Sequence, residues 1–528
     1  MRKYIYIGLL LLLSVACTGN FRDYNTDLSG ITDEDLLIDN NGYGIRLEII
    51  QQGIYFNYDY GKGKNWPFQL TQNLNADMFS GYMHDAKPLN GGSHNSDYNM
   101  QDGWNSAMWT HMYSYIFPQI YQLENATRGV HLPFFGVTKI LKVEAMHRVT
   151  DYYGPIIYKH FADEESHYRP DTQKEVYYEF FNELDSAVVA LEGYIKENPA
   201  SGGFERFDIL LDGNYATWIK FANSLRMRLA MRISAVEPEK AREEFLKGMR
   251  NEYGVFEGEA ERVAVSTKSG YTNPLGELNS VWNETFMSAP MESVLTGYED
   301  PRLKVYFLPC TDEKYAGTYR GIRQGTCFPH SHYAGLSKLS VKQDTDAPLM
   351  TAAEIWFLRA EAALRGWTEE DEGYCYQKGV VTSLHQNGIY DTEDYLNSDR
   401  TAADFVDTYD SGNDIKARCK VSPKWNAAAD KEIKLEKIIT QKWIAMFPEG
   451  CEAWAEQRRT GYPRLFPVRY NNSRNGCIDT EGMVRRLNFP GALQTEDKDL
   501  YQALVKALGG EDNGGTRLWW DTGNNGLK

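Results

Sequence analysis

The feature that most constrains the fold is a recurring helical period. Between Asn214 and Ala235, Trp218, Phe221, Ala222, Leu225, Leu229 and Ile233 follow one another at steps of 3, 1, 3, 4 and 4 residues. A helix turns once every ~3.6 residues, so this spacing gathers them into one stripe. Arg226, Arg228 and Arg232 fall mainly on other faces. The pattern predicts a long amphipathic helix. A second apolar stripe joins Ile355, Trp356, Leu358, Ala360, Ala362, Ala363 and Trp367, with Gly366 available to end the helix. In a third, from Lys431 to Phe447, Leu435, Ile439, Trp443 and Met446 share a face; Asp430 is placed to cap its start and Pro448 to stop it.

Weaker helical patterns cover 44–57, 105–126, 135–153, 172–197, 237–251 and 369–386. Several are neighbours joined by short connections, which predicts stacked helical hairpins. No strict repeat of about 34 residues is present. Residues 256–348 break the period: Gly, Pro, Ser, Thr and Tyr crowd stretches such as Ser269-Gly270-Tyr271-Thr272-Asn273-Pro274 and Pro329-His330-Ser331-His332-Tyr333. They read as a loop-rich lobe, and the chain after Gly461 reads as irregular too. Long loops on a rigid scaffold are where recognition residues concentrate.

The amino terminus sets the compartment. Arg2 and Lys3 precede an apolar run from Ile5 to Leu13, followed by Ser14-Val15-Ala16-Cys17. This is the layout of a secretory signal, and the run is too short for a membrane span of about 20 residues. Leu13-Ser14-Val15-Ala16-Cys17 resembles the lipobox of bacterial lipoproteins, with Ser14 where that pattern prefers Leu. The resemblance implies cleavage before Cys17 and acylation of its thiol. At about 0.8 kcal/mol per buried methylene, several acyl chains give a lasting membrane anchor. The expected organisation is a signal over 1–16, an acylated tether over 17–40 rich in Asn, Asp, Thr and Gly, and a single domain over 41–528.

Six cysteines remain beyond Cys17, none in a CxxC pair, so no zinc ribbon or redox motif is supported. Export permits disulfides, and Cys310 with Cys327, bracketing 16 residues, is the first pair to test. With 56 basic against 73 acidic side chains the net charge is −17, and no basic block exceeds short pairs such as Arg458–Arg459. General nucleic-acid binding is therefore excluded.

Of the common catalytic signatures, HExxH, GxSxG, a Walker loop and GxGxxG are all missing from the sequence. His330 and His332 lack a third metal ligand nearby, and Asp33, Asp35 and Asp39 lack the Gly and distal Glu of a calcium loop. No cofactor is expected. A glycoside hydrolase needs only two carboxylates about 5–9 Å apart, so 73 acidic residues leave that chemistry open.

Binding asks less: an aromatic ring to stack on the C–H face of a sugar, and amides, carboxylates or Arg for its hydroxyls. The chain carries 12 Trp, 35 Tyr and 23 Phe. Two stretches hold the mixture. One, Asp77 to Trp104 with Trp66 upstream, offers Trp66, Tyr82, His84, Asp97, Tyr98 and Trp104, alongside Asn99, Gln101 and Asp102. The other, Tyr271 to Phe286, offers Tyr271, Asn273 and Trp282. These nine are the candidate ligand-binding residues. The competing role for Trp66, Trp104 and Trp282 is to seal loops against the scaffold.

Three segments carry a family resemblance: Lys142–Tyr158, which contains Asp151-Tyr152-Tyr153-Gly154-Pro155; Leu349–Ala362, with Phe357-Leu358-Arg359-Ala360-Glu361-Ala362; and Gln441–Pro463, with Glu452-Ala453-Trp454 and Arg458-Arg459-Thr460-Gly461-Tyr462-Pro463. They resemble the SusD/RagB outer-membrane lipoproteins of Bacteroidetes, in the SusD-like second branch. Glu299-Asp300-Pro301-Arg302-Leu303 and Arg485-Arg486-Leu487-Asn488-Phe489-Pro490 add to it. The resemblance implies a mainly α fold in which tetratricopeptide-like hairpins support the loop-rich lobe. It also implies a lipid-anchored protein on the outer face of the outer membrane, passing a glycan, or alternatively an oligopeptide, to a TonB-dependent SusC-like β-barrel without catalysis. The matching motifs themselves read as fold motifs. Trp356, Trp443 and Trp454 are expected in the core, and Glu354, Arg359 and Glu361 in an ion network.

Overall fold

A computed structural model describes residues 40–55, 66–85, 89, 94–162, 169–198, 205–326 and 330–527. The signal sequence, Cys17 and nearly all of the tether lie outside the described residues. The chain divides into units 1–46 and 47–528. Of the first, only the opening of helix α1 (Asn41–Ile54) is described; the remaining elements belong to the second.

The scaffold is built from α2 (Phe117–Thr127), α3 (Leu132–Tyr153), α4 (Gln173–Glu197), α5 (Tyr215–Arg232) and α6 (Pro238–Met249). After the loop-rich lobe it resumes with α9 (Ala352–Leu364), α10 (Glu372–Gln386), α11 (Lys431–Ala445) and α12 (Gly450–Thr460). Consecutive helices pack as pairs: α3 with α4, α5 with α6, α9 with α10; α4 also lies on α5, and α9 on both α5 and α11. The expected hairpin architecture is thus observed.

Local chemistry sets the helix ends. Thr172 and Glu175 form a reciprocal capping box at the start of α4, Glu175 N donating to Thr172 Oγ1 at 3.3 Å and Thr172 N to Glu175 Oε2 at 2.9 Å. Asn214 Oδ1 accepts from Thr217 N at 3.0 Å and starts α5. Gly154 (φ 89°) and Gly461 (φ 78°) close α3 and α12 in backbone conformations that a Cβ disfavours. Asp430 precedes α11, but its side chain makes no capping bond.

The intervening lobe holds α7 (Pro274–Ser280), α8 (Ala289–Tyr298) and short strands. β1 (Met83–His84) pairs antiparallel with β3 (Phe286–Met287), and β2 (Arg262–Val265) with β4 (Ala347–Thr351). The first pair clasps the loop after residue 77 to the lobe; the second ties the lobe to the start of α9.

The core differs from a simple amphipathic packing. Arg226, Arg228 and Arg232, which the periodicity places on other faces of α5, are fully enclosed. They are neutralised inside: Arg228 makes two bonds to Glu354 at 2.8 and 2.7 Å, Arg232 pairs with Glu456 at 2.7 Å and with Glu452, and Arg226 pairs with Glu244. Arg459 on α12 bridges Glu361 at 2.7 Å and Glu456 at 2.8 Å, and Lys442 reaches Glu456 at 3.2 Å. Glu354 and Glu361 therefore join α9 to α5 and α12 as expected, while Arg359 pairs with Glu257 and Glu370 nearer the surface. Trp443 and Trp454 are buried and donate to Ser80 O at 2.8 Å and Val484 O at 3.1 Å.

Two elements depart from the sequence expectation. The stretch after Gly461 is not wholly irregular: α13 (Lys498–Leu508) is an amphipathic helix burying Leu500 and Leu504. The helix expected over 105–126 is interrupted by a π-helical turn at Met112–Ile116. Cys310 carries a free, buried thiol, and Cys327 lies outside the described residues.

Removing one member of a buried ion network strands its partners without solvent, at a cost of about 3–5 kcal/mol. Glu456→Leu, which deprives Arg232, Arg459 and Lys442 at once, is expected to lower unfolding stability by at least that amount in urea titration. Arg400→Ala, breaking the exposed pair with Glu299, is expected to change it by less than about 1 kcal/mol.

Candidate functional site

The nine candidates do not converge on one pocket. Tyr82 is enclosed: its hydroxyl donates to Trp443 O and its ring packs on Trp443 and Phe447 at 5.3 Å each. Tyr98 and Tyr271 are likewise buried. Asn273 caps α7, its Oδ1 accepting from Leu275 N at 3.0 Å and its Nδ2 donating to Thr345 O at 2.9 Å. Asp97 spends Oδ1 on Asn99 N at 3.0 Å and Oδ2 on Asn472 Nδ2 at 2.8 Å. These five side chains present little surface to a ligand.

His84 and His94 are buried with parallel rings 6.4 Å apart, and the His94 ring meets the edge of half-buried Trp104 at 5.3 Å. Burial pulls His84 down to about 4, and burial with the neighbouring His84 pulls His94 down to about 3. Both rings are therefore neutral at physiological pH.

Trp66 is different. It is 42% exposed and opens a short helical turn, Trp66–Phe68, that runs directly into a π-helical stretch, Gln69–Asp77. Its ring lies 5.5 Å from that of His111, which in turn lies 5.7 Å from that of Tyr115. His111 and Tyr115 are four residues apart and so share a helix face. Tyr115 is 44% exposed. The result is an aromatic ledge, Trp66–His111–Tyr115, in which the two outer rings are exposed and His111 is buried between them. Burial pulls the His111 imidazole down to about 4, so the ledge carries no charge at neutral pH.

The ledge adjoins the second predicted stretch. The turn Trp66–Phe68 packs against α7, and Gln69 Nε2 donates to the Glu284 carboxylate. This bond fixes the turn following α7, where Val281 and Asn283 are exposed and Trp282 is half-buried. Trp66 and the Trp282 turn, far apart in sequence, are thereby brought to neighbouring positions. Sequence reasoning misses His111 and Tyr115 because their segment reads as scaffold helix. The signal available is the spacing of four residues that sets the His111 and Tyr115 rings side by side; that His111 is buried and Tyr115 exposed is not encoded in it.

Among the described residues no group of three or more His, Cys, Asp or Glu is placed to hold a metal ion. Nor is any described helix long and apolar enough to cross a membrane.

A family model described as "Susd and RagB outer membrane lipoprotein" matches residues 23–521. The chain belongs to the SusD-like family. Solved structures agree with that membership. A SusD homologue from Bacteroides vulgatus is 47% identical with a TM-score of 0.88, covering 92% of this chain and 99% of its own. A chitin-binding SusD homologue from Flavobacterium johnsoniae is 39% identical with a TM-score of 0.88, covering 92% and 100%. A SusD-like protein from Bacteroides thetaiotaomicron is 31% identical with a TM-score of 0.84, covering 92% and 99%. No curated protein matches the chain.

The neutral buried histidines give a pH signature. Each has a folded pKa below its unfolded value near 6.5, so the unfolded state binds the extra proton and stability is lost as pH falls below 6.5. Asp77, which burial raises to about 7, pulls in the opposite sense, so the test compares variants. Wild type minus His94→Phe is expected to lose about 1.4 kcal/mol of unfolding free energy per pH unit between about pH 6 and 4.5. Urea titrations at several pH values read that difference.

Proposed function

We propose that this SusD-like protein is a surface glycan-binding lipoprotein. It is held at the outer membrane by an acylated Cys17, takes an oligosaccharide onto the Trp66–His111–Tyr115 ledge beside Trp282, and delivers it to a TonB-dependent SusC-like barrel without covalent chemistry. The observation that carries the reading is an uncharged aromatic ledge on an otherwise acidic protein, with the Trp66 and Tyr115 rings exposed and the His111 ring buried between them. A sugar's C–H face gains by stacking on such rings, and a neutral glycan has no charge to be repelled. The 39%-identical chitin-binding homologue makes N-acetylglucosamine oligomers the first ligands to try.

Isothermal titration with chitotetraose, cellotetraose, mannotetraose and xylotetraose tests the ligand class. Trp66→Ala is expected to weaken binding of the responsive glycan at least tenfold, about 1.4 kcal/mol, without altering the melting temperature. Binding of oligopeptides and of none of the glycans would favour the peptide alternative, and release of new reducing ends would make the protein an enzyme. For the anchor, cells fed labelled palmitate are expected to label wild type and not Cys17→Ala, which should leave the membrane fraction.

A further inference from the structure

Away from the ledge, a cavity of about 670 Å³ opens between the 98–105 turn and the carboxy-terminal loops 474–514. Its volume falls in the range of small-molecule sites, roughly 300–1,000 Å³. Neither Trp66, His111, Tyr115 nor Trp282 lines it.

The lining is rich in planar polar side chains, and two of the most buried are incompletely bonded. Asn105 is 2% exposed; its Oδ1 accepts from Asn95 Nδ2 at 3.0 Å, while its own Nδ2 has no acceptor among the described residues. Tyr98 is 1% exposed and its hydroxyl has no partner among them. The Tyr98 hydroxyl is enclosed and offers a ligand no surface, whereas the unbonded Asn105 amide on the cavity wall is a donor that a ligand hydroxyl can satisfy. One turn before Asn105, Asp102 uses Oδ1 for Gly491 N at 3.0 Å and leaves Oδ2 unbonded. At the rim, the exposed Arg474 guanidinium has no carboxylate partner among the described residues. Asp512, also in the wall, is consumed by Arg486 Nη1 at 2.6 Å and Phe489 N at 3.0 Å.

We infer that this cavity is a second carbohydrate subsite, for a short neutral saccharide, which rests on the glycan-binding reading and extends it to a different place on the molecule. The chemistry is specific. Neighbouring hydroxyls on a pyranose present one donor and one acceptor at close spacing. Asp102 Oδ2 takes the donor, Asn105 Nδ2 serves the acceptor, and Arg474 closes over a further ring or hydroxyl oxygen. With Asp512 paired to Arg486, Asp102 and Glu511 against Arg474 leave the lining mildly acidic, which disfavours uronates and sugar phosphates relative to neutral saccharides.

Titration of the full mature chain with the same four neutral tetrasaccharides tests this. For the responsive glycan, wild type is expected to bind at two sites. Trp66→Ala should retain one, and Asp102→Asn combined with Arg474→Ala should weaken the other at least tenfold while leaving the Trp66 site intact. Asn105 is left unchanged in that variant because its Oδ1 is structural, and an unaltered melting temperature confirms folding. Crystals soaked with the glycan should show a sugar between Asp102 and Arg474. A single site lost in Trp66→Ala and unaffected by the cavity variant, with no sugar in the soaked cavity, overturns the inference alone. Absence of binding to all four glycans overturns both it and the ledge reading.

Discussion

The structure depends on burying charge at the junction of helices α3, α5, α9, α11 and α12. Arg228, Arg232, Arg459 and Lys442 meet Glu354, Glu361, Glu452 and Glu456 with almost no access to water. Attraction between such groups barely repays their desolvation, so the network adds little net stability compared with an apolar core. It instead makes wrong packings costly, because any helix shift strands a charge. Motif residues of the family resemblance supply most of this network, which explains why such polar residues occur inside a helical scaffold.

That rigid centre holds the segments on which recognition is proposed. Trp443 on α11 accepts the Tyr82 hydroxyl at its carbonyl and donates its indole N–H to Ser80 O, so the loop leading from the π-helical stretch is anchored directly to the scaffold. The π-helical geometry at 69–77 and 112–116 widens the helix locally, a distortion that often marks functional positions. Here one distortion follows the Trp66 turn and the other contains Tyr115. The rings are held before a ligand arrives, which limits the ordering cost of binding.

Much of the fold is legible in the sequence because helices announce themselves through period and stop residues: Gly366 and Pro448 fall just beyond the ends of α9 and α11 as their chemistry dictates, although Asp430 starts α11 without a capping bond. The burial of Arg226, Arg228 and Arg232 is not legible. Periodicity assigns a charged residue to the outside, and only partners contributed by other helices reverse that. Helix α13 escapes notice because it is short and follows a long irregular run. For the site, residue type points to the right stretches but does not separate Tyr82 and Tyr271, which pack, from Trp66, which is exposed. That distinction depends on which side of a loop meets the scaffold, and no local pattern encodes it.

If a neutral glycan lies against the Trp66 ledge, a crystal structure of the protein with the tetrasaccharide that binds best in solution will reveal it. The expected density is an intact glycan with a sugar ring stacked on Trp66 and within reach of Trp282. A glycan bound only elsewhere, with Trp66 bare, or one cleaved during soaking, would refute the binding role proposed for these rings.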